Sequence, residues 1–152
     1  MKSTLKIRPV AKDDLTRIFQ LEEETFKPKH YPLFVLRQLY DISSDLFFVA
    51  VDEFNQIKGY CFGGINHVSK IGWVFALATI KEEQNKKIGQ RLTTELLNAL
   101  KAKGISTIQL TTSSDNSAAI HLYEKVGFKK MTETLDYYFD NTPRFLMKLE
   151  VE

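Results

Sequence analysis

The sequence has a single cysteine, Cys61, among 152 residues. An intrachain disulfide is therefore excluded, and the usage suits a reducing compartment. One tryptophan, four prolines and seven glycines are too few for a collagenous or low-complexity chain. Charge of one sign is missing as well, since 21 basic residues against 19 acidic ones leave a formal net charge of +2. That balance makes no electrostatic case for a nucleic-acid or anionic-membrane partner, so a small or peptide-sized partner is expected. No apolar run approaches the ~20 residues of a membrane span, and residues 1–9 hold no apolar targeting segment. A cytoplasmic protein is the expectation. The hydrophobic share of 43% and charged share of 26% are those of an ordinary globular chain. One domain over residues 1–152 is expected, because no linker or repeat marks a boundary.

Along the chain, Leu5 and Ile7 alternate with Lys6 and Arg8, the pattern of a first strand. Asp13 and Asp14 are expected to open a helix carrying Leu15, Ile18, Phe19 and Leu21 inward. Pro32 can start a second helix. Residues 46–51 and 57–68 read as paired strands across a polar turn. Residues 73–80 form a nearly unbroken apolar run, which suits a central strand buried on both faces. The period then changes: Ile88, Leu92, Leu96 and Leu100 recur every four residues, a helical stripe closed by Gly104. A strand over 105–110 and a helix carrying Ala119, Leu122 and Val126 inward follow, and the tail reads as a hairpin. The order β-α-α-β-β-β-α-β-α-β-β implies an α/β (mixed α+β) chain with a mixed sheet and helices on its faces.

Two segments carry chemistry. Gln84-Asn-Lys-Lys-Ile-Gly89 joins the apolar strand to the striped helix. A helix start offers unpaired N–H groups and partial positive charge, which suit a diphosphate. The segment lacks the glycine spacing of a Walker loop or a dinucleotide fingerprint. Downstream, Asn116 and Tyr123 stand seven residues apart, so a helix would put them on one face about 10 Å apart along its axis. Asn116 could be only a cap residue, and Tyr123 only a packed aromatic.

Together these segments resemble the GNAT acetyltransferase superfamily. Residues 84–89 are similar to its acyl-CoA loop, Gln/Arg-x-x-Gly-x-Gly/Ala, with Lys87 in place of the first glycine. Residues 116–128 match its Asn-x-x-Ala-x-x-x-Tyr-x-x-x-Gly-Phe motif at every marked position. The resemblance implies a central mixed sheet of about seven strands with about four helices, splayed between the fourth and fifth strands. It implies acetyl-CoA as cosubstrate, with no metal, and direct transfer of acetyl to a primary amine. Leu77, Ala78 and Thr79 would then pair with pantetheine, and the loop Gln84, Asn85, Lys86, Lys87, Ile88, Gly89 and Gln90 would hold the diphosphate. Asn116 would bind CoA, and Tyr123 would protonate the leaving thiolate. A positive φ at Lys87 would cost roughly 1–2 kcal/mol, so a helical φ is expected there.

The chain resembles most nearly the branch that acetylates protein N-termini, including the ribosomal-protein alanine acetyltransferases. That branch often carries Glu on the strand before the Asn motif, within Leu-Glu-Val-Arg. Here the segment is Leu110-Thr111-Thr112-Ser113, and a threonine cannot act as base. An acceptor with an α-amine suits a site without a strong base, since at pH 7 about 10% is neutral, against about 0.04% of a lysine amine. Glu24, His30 and Tyr138 are candidates for a water-mediated base, and Glu24, His30, Tyr31, Tyr137 and Tyr138 are candidates for the acceptor site. The scattered His30, His67 and His121 have no metal-ligand spacing. Peptide N-termini and small-molecule amines remain open as acceptors, and monomer and homodimer as assemblies. The rival from another class is an acyl-CoA sensor that keeps the pocket without turnover.

Overall fold

The computed structural model describes residues 5–81 and 87–151. Seven strands form one sheet in the order β1-β2-β3-β4-β5-β7-β6. They are β1 (Lys6–Pro9), β2 (Phe47–Val51), β3 (Ile57–Asn66), β4 (Ile71–Thr79), β5 (Thr107–Ser113), β6 (Lys129–Thr134) and β7 (Arg144–Glu150). Four α-helices join them: α1 (Leu15–Phe26), α2 (Leu33–Ser43), α3 (Ile88–Ala102) and α4 (Ser117–Val126). This is the expected element order, and every sheet pairing is antiparallel except β4 with β5.

Two cores lie on opposite faces. One gathers Leu92, Leu96, Leu100, Ile120, Tyr123 and Phe128 from α3, α4 and the turn after it, over Val74 and Ile108. The other gathers Leu15, Ile18, Leu21 and Leu36 from α1 and α2, over Val49, Tyr60, Phe62, Ala76 and Ala78. The four-residue stripe of α3 is buried, as its period requires. Each fully buried leucine there contributes ~1.5–3 kcal/mol. Asp13 and Asp14 belong to a short 3-10 turn ahead of α1. Asp14 ties down that turn instead of feeding a helix terminus: it accepts the Ala11 N–H at 2.7 Å and pairs with Arg8 at 2.8 Å.

The apolar run of β4 packs on both faces, as expected of a central strand, with one exposed interruption. Its residues alternate between buried and more exposed along 71–79, and Phe75 is 42% exposed. The cause is a bulge. Gly63 faces Val74 and Phe62 faces Ala76, so Phe75 is an extra residue without a partner on β3. A Cβ on Gly63 would lie 2.1 Å from the Trp73 carbonyl oxygen, so only glycine fits beside the bulge. Before it Val74 faces α3; after it Leu77 faces that side while Ala76 and Ala78 turn to α1 and α2. One added residue exchanges the faces of a period-two element. Both sets of alternate positions carry apolar side chains because β4 feeds both cores, Val74 and Leu77 on one face and Ala76 and Ala78 on the other. Among the described residues no helix is long and apolar enough to cross a membrane.

Candidate active site

The parallel β4–β5 ladder consists of three pairs, Ile71 with Thr107, Gly72 with Ile108 and Trp73 with Gln109. Beyond them β4 stays bonded to β3 as far as Thr79, and β5 to β7 as far as Ser113. The two strands part, as expected between the fourth and fifth. The facing main-chain edges of Leu77, Ala78 and Thr79 lie past the last rung, and such groups call for a hydrogen-bonding partner.

Helix α3 follows β4 in the chain, beginning at Ile88. Ile88 and Gly89 are buried and Gln90 is half-buried in its first turn. A Cβ on Gly89 would meet Leu122 Cδ1 of α4 at 2.8 Å, so glycine lets the two helices close. Lys87 caps α3 in the left-handed region, φ 60° and ψ 20°, which corrects the expected helical φ. The left-handed backbone falls at the very position where the acyl-CoA loop pattern carries glycine. Lysine meets it at a cost of ~1–2 kcal/mol and stays exposed. Gln84, Asn85 and Lys86 lie outside the described residues.

On α4, the Asn116 side chain accepts the Ala119 N–H at 3.1 Å and caps the helix. Its carbonyl is thereby occupied, and the amide NH₂ remains to donate. Tyr123 is 7% exposed, edge-on to Phe128 with centroids 5.7 Å apart. Burial raises its hydroxyl pKa above the ordinary phenol value, and the neighbouring Cys61 thiol raises it further. Cys61 lies opposite Leu77 in the β3–β4 ladder and shares a core cluster with Tyr123. His121, two residues earlier, is exposed.

On the α1–α2 side a groove of about 750 Å³ runs past Phe75 and Ala76 of β4, with His30 and Tyr31 on one wall and Tyr138 and Arg144 on the other. Its floor holds Glu22, only 1% exposed. Glu22 accepts the Tyr60 hydroxyl at 2.6 Å and the Tyr31 N–H at 2.8 Å. Burial raises the Glu22 carboxyl pKa, while Tyr60, the Tyr31 N–H and His30 pull it back. The Tyr31 hydroxyl is also pushed up, first by burial and then by Tyr138 and Glu22, with Arg144 opposing. The buried His30 Nδ1 has no hydrogen-bond partner among the described residues. Thr111, which stands where the related branch often has Glu, lies 3.3 Å from the Tyr138 hydroxyl and accepts Arg144 Nε at 2.9 Å.

The expected acceptor residues are only partly brought together. His30, Tyr31 and Tyr138 line this groove. Tyr137 lines a second groove of about 520 Å³, between α2 and the sheet, which shares Phe75 and Tyr138 with the first. Glu24 is exposed and lines neither; two residues are about 200° of helix, so it turns away when Glu22 turns inward. Glu22, Phe75 and Arg144 were not anticipated. Glu22 had a signal, because it falls four residues after Ile18 on the apolar stripe of α1. Among the described residues no group of three or more His, Cys, Asp or Glu side chains is placed to hold a metal ion.

Comparison with known proteins agrees with this geometry. The chain is 29% identical over 141 residues to N-alpha-acetyltransferase 30 of Schizosaccharomyces pombe, covering 91% of this chain and 93% of that one. It is 34% identical over 65 residues to the ribosomal protein bS18-alanine N-acetyltransferase of Escherichia coli, 43% of this chain and 44% of that one. It spans only 26% of the mycothiol acetyltransferase of Renibacterium salmoninarum, to which it is 35% identical over 88 residues, 55% of this chain. Among solved structures, Arabidopsis thaliana NAA60 in complex with acetyl-CoA superposes with a TM-score of 0.86 at 17% identity, over 97% of this chain and 100% of that one. The acetyltransferase (GNAT) family model matches residues 13–128. The chain therefore belongs to the acetyltransferase (GNAT) family and is an N-acetyltransferase that draws its acetyl group from acetyl-CoA.

Proposed function

We propose that the chain acetylates the α-amine of a peptide or protein N-terminus. The observation that carries this reading is the parting of β4 from β5 after Trp73 and Gln109, which opens a slot between Tyr123 on one face and the Glu22 groove on the other. In this assignment Leu77, Ala78 and Thr79 pair with the pantetheine arm. Lys87, Ile88, Gly89 and Gln90, with Gln84, Asn85 and Lys86 ahead of them, hold the diphosphate at the start of α3. The Asn116 amide donates to the arm. The acceptor enters through the groove between Tyr31 and Tyr138.

The neutral amine attacks the thioester carbonyl, forming the C–N bond, and the carbonyl π electrons move to oxygen. A β4 backbone N–H near Leu77 or Ala78 stabilises that oxygen. Collapse then breaks the C–S bond. Tyr123, held protonated by burial, donates a hydrogen bond to the departing thiolate. Because a phenol is a weaker acid than a thiol of pKa about 8.5, this help is stabilisation of charge more than complete proton transfer. The amine must shed its proton without a strong base, since Thr111 offers none. An α-amine, roughly 10% neutral at pH 7, meets that condition where a lysine amine does not. Water leading to His30 or Tyr138 can take the proton. We assign the reaction to the cytoplasm.

Thiol release from acetyl-CoA, followed with peptides that carry either a free α-amine or a blocked α-amine and a free lysine, tests the proposal. Faster turnover of the α-amine peptides is expected. A preference for the lysine amine would remove the proposal.

A further inference from the structure

Arg144 opens β7 with its guanidinium engaged on one side only. Nε donates to Thr111 Oγ1 at 2.9 Å and Nη2 to the Thr111 carbonyl at 3.0 Å. The group also stands 4.9 Å from the centroid of the Tyr138 ring. A guanidinium has five N–H donors, and Nη1 has no hydrogen-bond partner among the described residues.

The carboxylates that line the same groove are occupied elsewhere. Glu22 holds Tyr60 and the Tyr31 N–H, Asp140 holds Lys29 and Thr142, and Asp115 holds Ser113. A half-buried cation with free donors, fixed by a strand and an aromatic ring, is a preorganised anion receptor. Its height on the sheet says which substrate it meets. Thr111 lies two residues past the Trp73–Gln109 rung, about 7 Å along β5, level with Phe75 at the mouth of the opening. Phe75, Ala76 and Arg144 line one groove. A group at this point meets the acceptor a short way from its amine.

We infer that Arg144 selects acceptors that carry a carboxylate close to the amine being acetylated. The carboxylate comes from Asp or Glu within the first two residues of a peptide, or from the α-carboxylate of a free amino acid. The inference rests on the α-amine reading given above. A carboxylate seated on Arg144 exchanges water for charge-assisted hydrogen bonds at a site partly screened from solvent, which accounts for a preference of ~10-fold or more over the isosteric amide.

Arg144 also clasps the Tyr138 loop to β5, and a pure clasp would slow every acceptor alike. Selectivity is therefore the quantity to measure. Acetyl transfer is followed for matched peptides bearing Asp or Asn, and Glu or Gln, at the first or second position, and for free amino acids against their amides, with wild type, R144Q and R144K. For wild type, kcat/KM is expected to favour the acidic member of a pair by ~10-fold or more, mainly through KM. R144Q should bring that ratio close to one, whatever common slowing the loss of the Tyr138 clasp adds for both members, and R144K should keep part of the ratio by point charge. An acid preference among peptides identifies the side-chain carboxylate, and one confined to free amino acids identifies the α-carboxylate. Turnover of α-amines with equal rates for acid and amide overturns the inference alone, as does an R144Q variant that slows both members equally. Turnover of lysine amines only, with no α-amine acetylated, overturns the α-amine reading and the inference with it.

Discussion

The Glu22 carboxylate accepts the hydroxyl of Tyr60 at 2.6 Å, joining α1 to β3 beneath the acceptor groove. Its other oxygen takes the Tyr31 N–H, so one buried charge fixes both the sheet and the chain leading into α2. Tyr60→Phe removes a donor from a carboxylate that is 1% exposed and should cost ~2–3 kcal/mol of stability, measured by urea unfolding.

The same charge gives a pH signature. The Glu22 pKa is raised in the folded state, so its contribution to stability is fully present below the unfolded value and is lost as pH rises through the folded value. Glu22→Gln keeps an oxygen for one of the two hydrogen bonds and carries no charge. Relative to wild type, its stability should rise as pH climbs from about 4 through the folded pKa of Glu22. Parallel stability curves for the two proteins across that window would contradict the prediction.

Tyr123→Phe should lower kcat by about 10²-fold, at the modest end of general-acid effects because the donor is weak. Affinity for acetyl-CoA should stay near wild type. Because burial holds the phenol protonated, wild-type activity should show no alkaline loss at the ordinary tyrosine value of about 10. Pre-steady-state kinetics and calorimetry check both points; equal turnover in the two proteins would take Tyr123 out of the reaction.

Asn116 can be divided by two substitutions. Asn116→Ala removes the cap on Ala119 and should cost ~1 kcal/mol, together with acetyl-CoA affinity. Asn116→Asp keeps a capping oxygen but loses the NH₂ donor, so its thermal midpoint should hold while its dissociation constant rises. Should the Asp variant bind acetyl-CoA as tightly as wild type, the amide has no part in binding.

Lys87→Gly should raise stability by up to ~1 kcal/mol, because φ 60° is strained for lysine, partly offset by the freedom glycine gains in the unfolded chain. If the lysine charge assists the diphosphate, the variant should also bind acetyl-CoA more weakly and with less salt dependence. A calorimetric series in salt tests this.

Element order and type were legible because the periods are clean: every fourth residue on α3, alternation on β5, and a cap with a Gly-Phe stop around α4. The tail hairpin was legible in kind, with strands confined to 129–134 and 144–150. The β4 bulge was not legible, since one extra apolar residue inside a strand that is apolar on both faces leaves no break in the run. Nor was the φ of Lys87, which depends on where the chain must turn. Glu22 and Arg144 were hidden for a different reason. Their partners Tyr60 and Thr111 lie 38 and 33 residues away in sequence, and only the fold brings them together. His30, Tyr31 and Tyr138 come together in one groove, because segments joining helices and strands meet at this end of the sheet.

The unpartnered Phe75 bears on how the acceptor side can be reshaped without touching any reacting group. Deleting that one amino acid would bring the pairings of Val74 with Gly63 and Ala76 with Phe62 into unbroken succession, while Leu77 kept its side and the alanines kept theirs. What would go is an aromatic ring common to both grooves. A single codon's worth of length thus decides whether the two neighbouring cavities have that ring, and leaves the packing of the strand as it is.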